Sequence, residues 1–78
     1  MQIVSIEWLD SRSMHGWQPK EAVNEFETDQ MHCSTIGYKI HESDNFIVVA
    51  LSIGETSYQD MLAIPKCSII SQRDLSGL

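Results

Sequence analysis

The sequence predicts a small, mainly β domain carrying one short helix. Three observations predict it. Apolar and polar residues alternate with period two over residues 2–9 and again over 33–40. Residues 46–53 form an almost continuously apolar run, and residues 18–26 place Ala22, Val23 and Phe26 on one helical face. At 78 residues the chain is one domain, far short of the length at which a second core appears.

Taken in order, residues 2–9 set Val4, Ile6 and Trp8 on one side and Ser5 and Glu7 on the other, a strand with one buried face. Residues 10–17 show neither period and read as a loop, longer than most connections in compact domains. In residues 18–26, Pro19 suits a first helical position, where its missing N–H is no loss, and Glu21 complements the positive helix start. So short a helix is unstable alone, so it is expected to lie on a sheet with Ala22, Val23 and Phe26 inward and Glu21, Asn24 and Glu25 outward.

The second strand spans residues 33–40, with Gly37 marking a bulge or sharp bend. Residues 42–45, Glu-Ser-Asp-Asn, form a turn of side chains that bond their own backbone. The run at 46–53 implies a strand buried on both faces or a central one. A polar loop at 54–59 leads to a strand at 60–64, which Pro65 ends because it has no N–H for a ladder. One turn at 66–68 precedes a last strand at 69–73, and residues 74–78 read as a flexible tail beyond a domain of 1–73. Tyr38 and Phe46, across the turn, are expected to pair as cross-strand aromatics, with Tyr58 the better candidate for an exposed contact. Five short strands, a bend at Gly37 and a one-turn connection before the last strand fit a small five-stranded SH3-like or Sm-like barrel, its helix inserted after strand one. The alternative is an α+β sheet with the helix packed across one face.

The formal charge is −6, from 11 Asp plus Glu against 5 Lys plus Arg. Arg12, Lys20, Lys39, Lys66 and Arg73 are scattered, so no basic stripe faces phosphates; direct nucleic-acid binding and membrane-surface binding are both disfavoured. No apolar run reaches the roughly 18 residues a membrane span needs, and no signal segment opens the chain, so the expected location is cytoplasmic. Cys33 and Cys67 lie in apolar or β-like segments and are expected to be core thiols. A zinc set of Cys33, Cys67, His32 and His41 lacks paired ligand spacing, so no metal or other cofactor is expected.

The loop at 10–17 is where the sequence departs from the needs of folding. It is polar, yet Trp8 and Trp17 bracket it. The tryptophans can wall a planar ligand such as a nucleobase. Ser11, Ser13 and backbone N–H groups near Gly16 suit phosphate or ribose oxygens, Arg12 suits a phosphate, and Asp10 accepts from ribose hydroxyls or a base edge; His15 completes the set. Packing explains part of the same pattern, with Trp8 in the core and Trp17 in the core or stapling the helix start. Ser, His and Asp in one loop do not make a triad, and nucleophile elbow, Gly-rich phosphate loop and metal signature are all missing, so the chain is not expected to be an enzyme.

Residues 8–17, Trp-Leu-Asp-Ser-Arg-Ser-Met-His-Gly-Trp, followed by a helix with Pro19-Lys20-Glu21-Ala22, resemble small bacteriophage and prophage proteins that read W-x-D-[SA]-x-S-x-x-G-W before a helix. Gly37-Tyr38, Val48-Val49-Ala50-Leu51-Ser52 and Ala63-Ile64-Pro65 match later parts of the same pattern, which covers residues 4–71. The resemblance implies an origin in a phage or integrated element, a bacterial host cytosol, and an accessory role in binding a host factor. Two versions follow. In one, a homo-oligomer sequesters a nucleotide-like immune signal between subunits, using Asp10, Ser11, Arg12, Ser13, His15 and Trp17. In the other, the acidic cluster Glu21, Glu25, Glu27 and Asp29 docks on a host defence or regulatory protein, DNA mimicry included. A minor virion component is a third class.

Overall fold

A computed structural model of the chain describes residues 1–11, 15–24 and 31–77. Five antiparallel strands, β1 (Ile3–Asp10), β2 (Met31–Glu42), β3 (Phe46–Ile53), β4 (Tyr58–Pro65) and β5 (Ile69–Asp74), form one sheet ordered β4-β3-β2-β1-β5. A single 3₁₀ turn, Lys66–Ser68, links β4 to β5, where the sequence predicts a one-turn connection. Its Ser68 hydroxyl donates to the Pro65 carbonyl (2.9 Å).

β2 is shared between two halves of the sheet. Residues 31–38 pair with β1, as in Trp8↔Cys33 and Val4↔Gly37, whereas Tyr38↔Ala50 and Glu42↔Ile47 belong to the ladder with β3. The change of partner coincides with a register shift between Lys39 and His41. Strands commonly switch sheets through such bulges. Gly37 sits at this corner for want of space: a Cβ there would lie 2.9 Å from the Ala50 carbonyl oxygen and 3.4 Å from Val49 Cβ. The bend expected at Gly37 is therefore a close backbone approach, with the bulge itself at Ile40.

The two halves close over a small core. Val4, Ile6 and Trp8 of β1 pack with Ile47 and Val49 of β3 and Ile64 of β4, and Cys33 and Ile69 lie half-buried against them. β1 and β4 are not neighbours in the sheet, so this contact requires the sheet to curl across β2. The alternation of β1 sends Val4, Ile6 and Trp8 inward as predicted, and burial of such side chains contributes about 1.5–3 kcal/mol each. The Trp8 indole N–H donates to Thr35 Oγ1 (2.9 Å), which satisfies the one polar atom the ring brings inside. The sheet is not closed: β4 and β5 form its two edges.

Several expectations change. β3 is buried on both faces only over residues 47–50; Leu51 and Ile53 are exposed because β2 has left the ladder by then. Tyr38 faces Ala50 and Phe46 faces Pro65, so the two aromatics do not pair; the bulge and the position of the turn set a different register. Tyr58 opens β4 and does not lie in the preceding loop, though it is exposed as expected. Cys33 is half-buried but Cys67 is exposed, since it falls on the 3₁₀ turn at the sheet's rim; both are free thiols. The C-terminal residues are tied to β1: Leu75 N–H donates to the Ile3 carbonyl (2.8 Å), and Ile3 N–H donates to Ser76 Oγ (2.7 Å).

Of the predicted helix, residues 22–24 are helical, entered through Ala22 N–H to the Pro19 carbonyl (3.0 Å) and Val23 N–H to the Lys20 carbonyl (3.4 Å). Val23 does not turn to the core and is 64% exposed. The core closes between β1, β3 and β4 without Val23, and Ala22 is half-buried. Phe26 and the rest of the expected helix lie outside the described residues. Among the described residues, no helix is long and apolar enough to cross a membrane.

Candidate binding site

The loop singled out by sequence leaves the end of β1. Asp10 is the last residue of that strand, and its Oδ1 accepts the Ser11 N–H (2.8 Å), a local bond that orients the carboxylate along the departing chain. Both side chains are exposed. Arg12 and Ser13 lie outside the described residues, as does Met14. On the far side of the loop His15 is exposed, and its carbonyl accepts from Gln18 Nε2 (3.2 Å). Gly16 adopts φ +85°, a left-handed conformation that disfavours any residue with a Cβ.

Trp17 is 102% exposed. The expectation that it enters the core or staples the helix start is therefore corrected. A staple needs an apolar partner on the first helical turns, and Val23 is itself in solvent. Trp8, the other bracket of the loop, is 9% exposed and belongs to the core, so the two rings do not form a facing pair of walls. Of the six residues assigned to a ligand, the described ones, Asp10, Ser11, His15 and Trp17, are thus all open to solvent on either side of 12–14. Of the acidic cluster, Glu21 is exposed, and Glu25, Glu27 and Asp29 lie outside the described residues.

Two polar clusters escape sequence reasoning. On the outer face of the first half-sheet, Ser34 Oγ donates to Glu7 Oε2 (2.6 Å) and His32 Nε2 lies 2.9 Å from the same oxygen. The Ser34 hydroxyl, and then His32, hold the Glu7 carboxyl below its ordinary range. Glu7 stands opposite Ser34 in the ladder, and His32 is the next same-face residue along β2. The second cluster lies at the end of β2, where Glu42 accepts from Lys39 and from Lys66 Nζ (2.7 Å). Lys39, foremost, and Lys66 lower the Glu42 carboxyl to about 2. Beside it runs a shallow cleft lined by Ile47, Lys66, Ile69 and Gln72. Lys66 reaches Glu42 because its N–H continues the β3–β4 ladder by donating to the Asn45 carbonyl (2.8 Å). Only the i, i+3 spacing of Lys39 and Glu42 was visible in the sequence. The other partners come from segments 24 or more residues away, brought together by registers that alternation alone does not specify.

Among the described residues, no group of three or more His, Cys, Asp and Glu side chains is placed to hold a metal ion. Compared with protein-family profiles, curated proteins and solved structures, the chain matches none.

Proposed function

We propose that the chain is a non-enzymatic phage or prophage accessory protein that captures a nucleotide-like signal of its host, held by the loop after β1 where subunits of a homo-oligomer meet. The observation that carries this reading is Trp17, whose ring is wholly in water at the end of a polar loop. A free indole is a ready stacking surface for a planar base, and such contacts contribute about 1–3 kcal/mol per base. Asp10 and Ser11, exposed at the loop's other end, supply an acceptor and a hydroxyl for sugar or phosphate oxygens, and Arg12 and Ser13 belong to the same segment. The resemblance of residues 8–17 to a phage-protein pattern is what suggests the accessory role. The strand order and the 3₁₀ turn between β4 and β5 support reading the curled sheet as a small SH3-like barrel.

The test is native mass spectrometry of the protein from a bacterial host, followed by thermal shift with nucleotides and cyclic dinucleotides. A retained mass of a few hundred daltons identifies the ligand, and a hundredfold excess over Kd stabilises the fold by about 2.7 kcal/mol. Trp17→Ala and Arg12→Ala abolish the shift. If no nucleotide shifts the wild-type melt, the reading fails, and the acidic segment around Glu21 becomes the surface to pursue by salt-dependent capture of a host protein.

A further inference from the structure

The two edges of the sheet are not alike. β5 is short and carries Arg73 and Asp74, and a register shift interrupts its ladder beside Trp8, all devices that discourage pairing with another strand. β4 carries less: its one charge and its one left-handed residue fall together at Asp60, and Pro65 closes the strand. Residues 58–63 are exposed, Asp60 (φ +54°) is the strand's one charge, and Met61 and Leu62 stand 63% and 39% exposed on opposite faces. Leu51 and Ile53 of β3 and Tyr58 of β4 continue this apolar character beyond the core.

The hydrogen bonds show which backbone groups of β4 are open. Phe46 turns both of its own toward Ser43, accepting the Ser43 N–H (2.9 Å) and donating to Ser43 Oγ (3.2 Å), while the Asn45 carbonyl takes the Lys66 N–H (2.8 Å). Alternation then directs Ile64 and Leu62 to β3 and leaves Met61 and Ala63 facing outward. Pro65, next in the outward set, has no N–H to leave unpaired.

We propose that a second copy of this chain pairs with that edge, β4 against β4 in antiparallel register, about a two-fold axis through Leu62. A strand is its own antiparallel complement, so one exposed edge generates a closed, isologous dimer. In this register Met61 meets Ala63 of the second copy, large against small, in a hydrogen-bonded pair. Leu62 meets its own equivalent across a non-hydrogen-bonded pair, with Cα atoms about 4.5 Å apart. Asp60 faces Ile64 of the second copy, so the strand's one carboxylate meets no like charge.

The inference goes beyond the proposed function, since it places the contact between copies at β4 and not at the loop after β1, and it is tested without any ligand. Sedimentation of the full chain at tens of micromolar gives twice the 8.9 kDa chain mass. Met61→Glu and Leu62→Glu each give a monomer with unchanged far-UV circular dichroism. In a Cys67→Ser background, Leu62→Cys joins two chains through a disulfide under mild oxidation, and the background alone does not. A monomeric wild type, a ring larger than two, or a Leu62→Cys variant that fails to cross-link overturns the proposal. Trp17→Ala stays dimeric, so loss of ligand binding and loss of this interface are read separately.

Discussion

Replacing Gly37 by alanine tests whether the corner between the two half-sheets is as tight as its geometry indicates. The added Cβ would stand 2.9 Å from the Ala50 carbonyl oxygen, closer than real Cβ contacts come, and 3.4 Å from Val49 Cβ. The Ala50 oxygen is backbone within β3, so it cannot swing aside as a side-chain end would. Relief requires β2 and β3 to part by a few tenths of an ångström at the point where β2 changes partner. Overpacking of this kind costs about 1–3 kcal/mol. Alanine returns about 0.4–1 kcal/mol by restricting the unfolded chain. The net expectation is a loss of up to about 2.6 kcal/mol, and near the middle of that range, at 4–8 °C per kcal/mol for a domain of this size, Tm falls by about 5–10 °C. Urea unfolding followed by tryptophan fluorescence measures it, since Trp8 is buried and Trp17 is already in solvent. Gly77→Ala is the control: a Cβ there meets nothing within 4 Å. Gly37→Ala at or above wild-type stability, at equal protein concentration, would refute the close approach.

The remaining predictions address the core, the exposed ring and acid. Ile6→Ala, at a fully buried position, lowers stability by about 2–5 kcal/mol in the same assay, whereas loss below about 1 kcal/mol would mean the core lies elsewhere. Trp8→Ala costs about 3–5 kcal/mol, while Trp17→Ala leaves ligand-free stability within about 0.5 kcal/mol; equal effects would contradict the burial of one ring and the exposure of the other. Glu42 titrates near 2 in the folded chain against 4.5 as its ordinary value, so its contribution is complete above about 4.5 and is lost as pH falls toward 2. Glu42→Gln therefore shows a shallower decline of stability between about pH 5 and pH 2.5, and an unchanged slope would remove Lys39 and Lys66 as the cause.

The segments that became strands were legible because alternation is a local property. Val4, Ile6 and Trp8 announce a strand with one buried face whatever the strand pairs with, and Pro65 followed by a single turn marks the passage to the last strand in sequence and structure alike. The loop at 10–17 stood out for the same reason, since it obeys neither period. Where a side chain ends up is different. Trp8 and Trp17 are the same residue type nine positions apart, and nothing local separates the one that fills the core from the one that stands in water.

By itself, the sequence determined a short acidic β-rich chain, which segments extend, which face of β1 turns inward, and a polar segment at 10–17 that obeys neither period. Tertiary structure alone decided the register that sets Glu7 beside Ser34 and His32, the corner at Gly37 where β2 changes partner, and the meeting of Glu42 with Lys66. It also decided which edge strand lies bare. The physical reason is range: dihedral preference and alternation act between neighbours along the chain. Register, closeness of approach and exposure depend on which distant segments lie alongside, and a shift of one residue would turn each of these side chains to the other face.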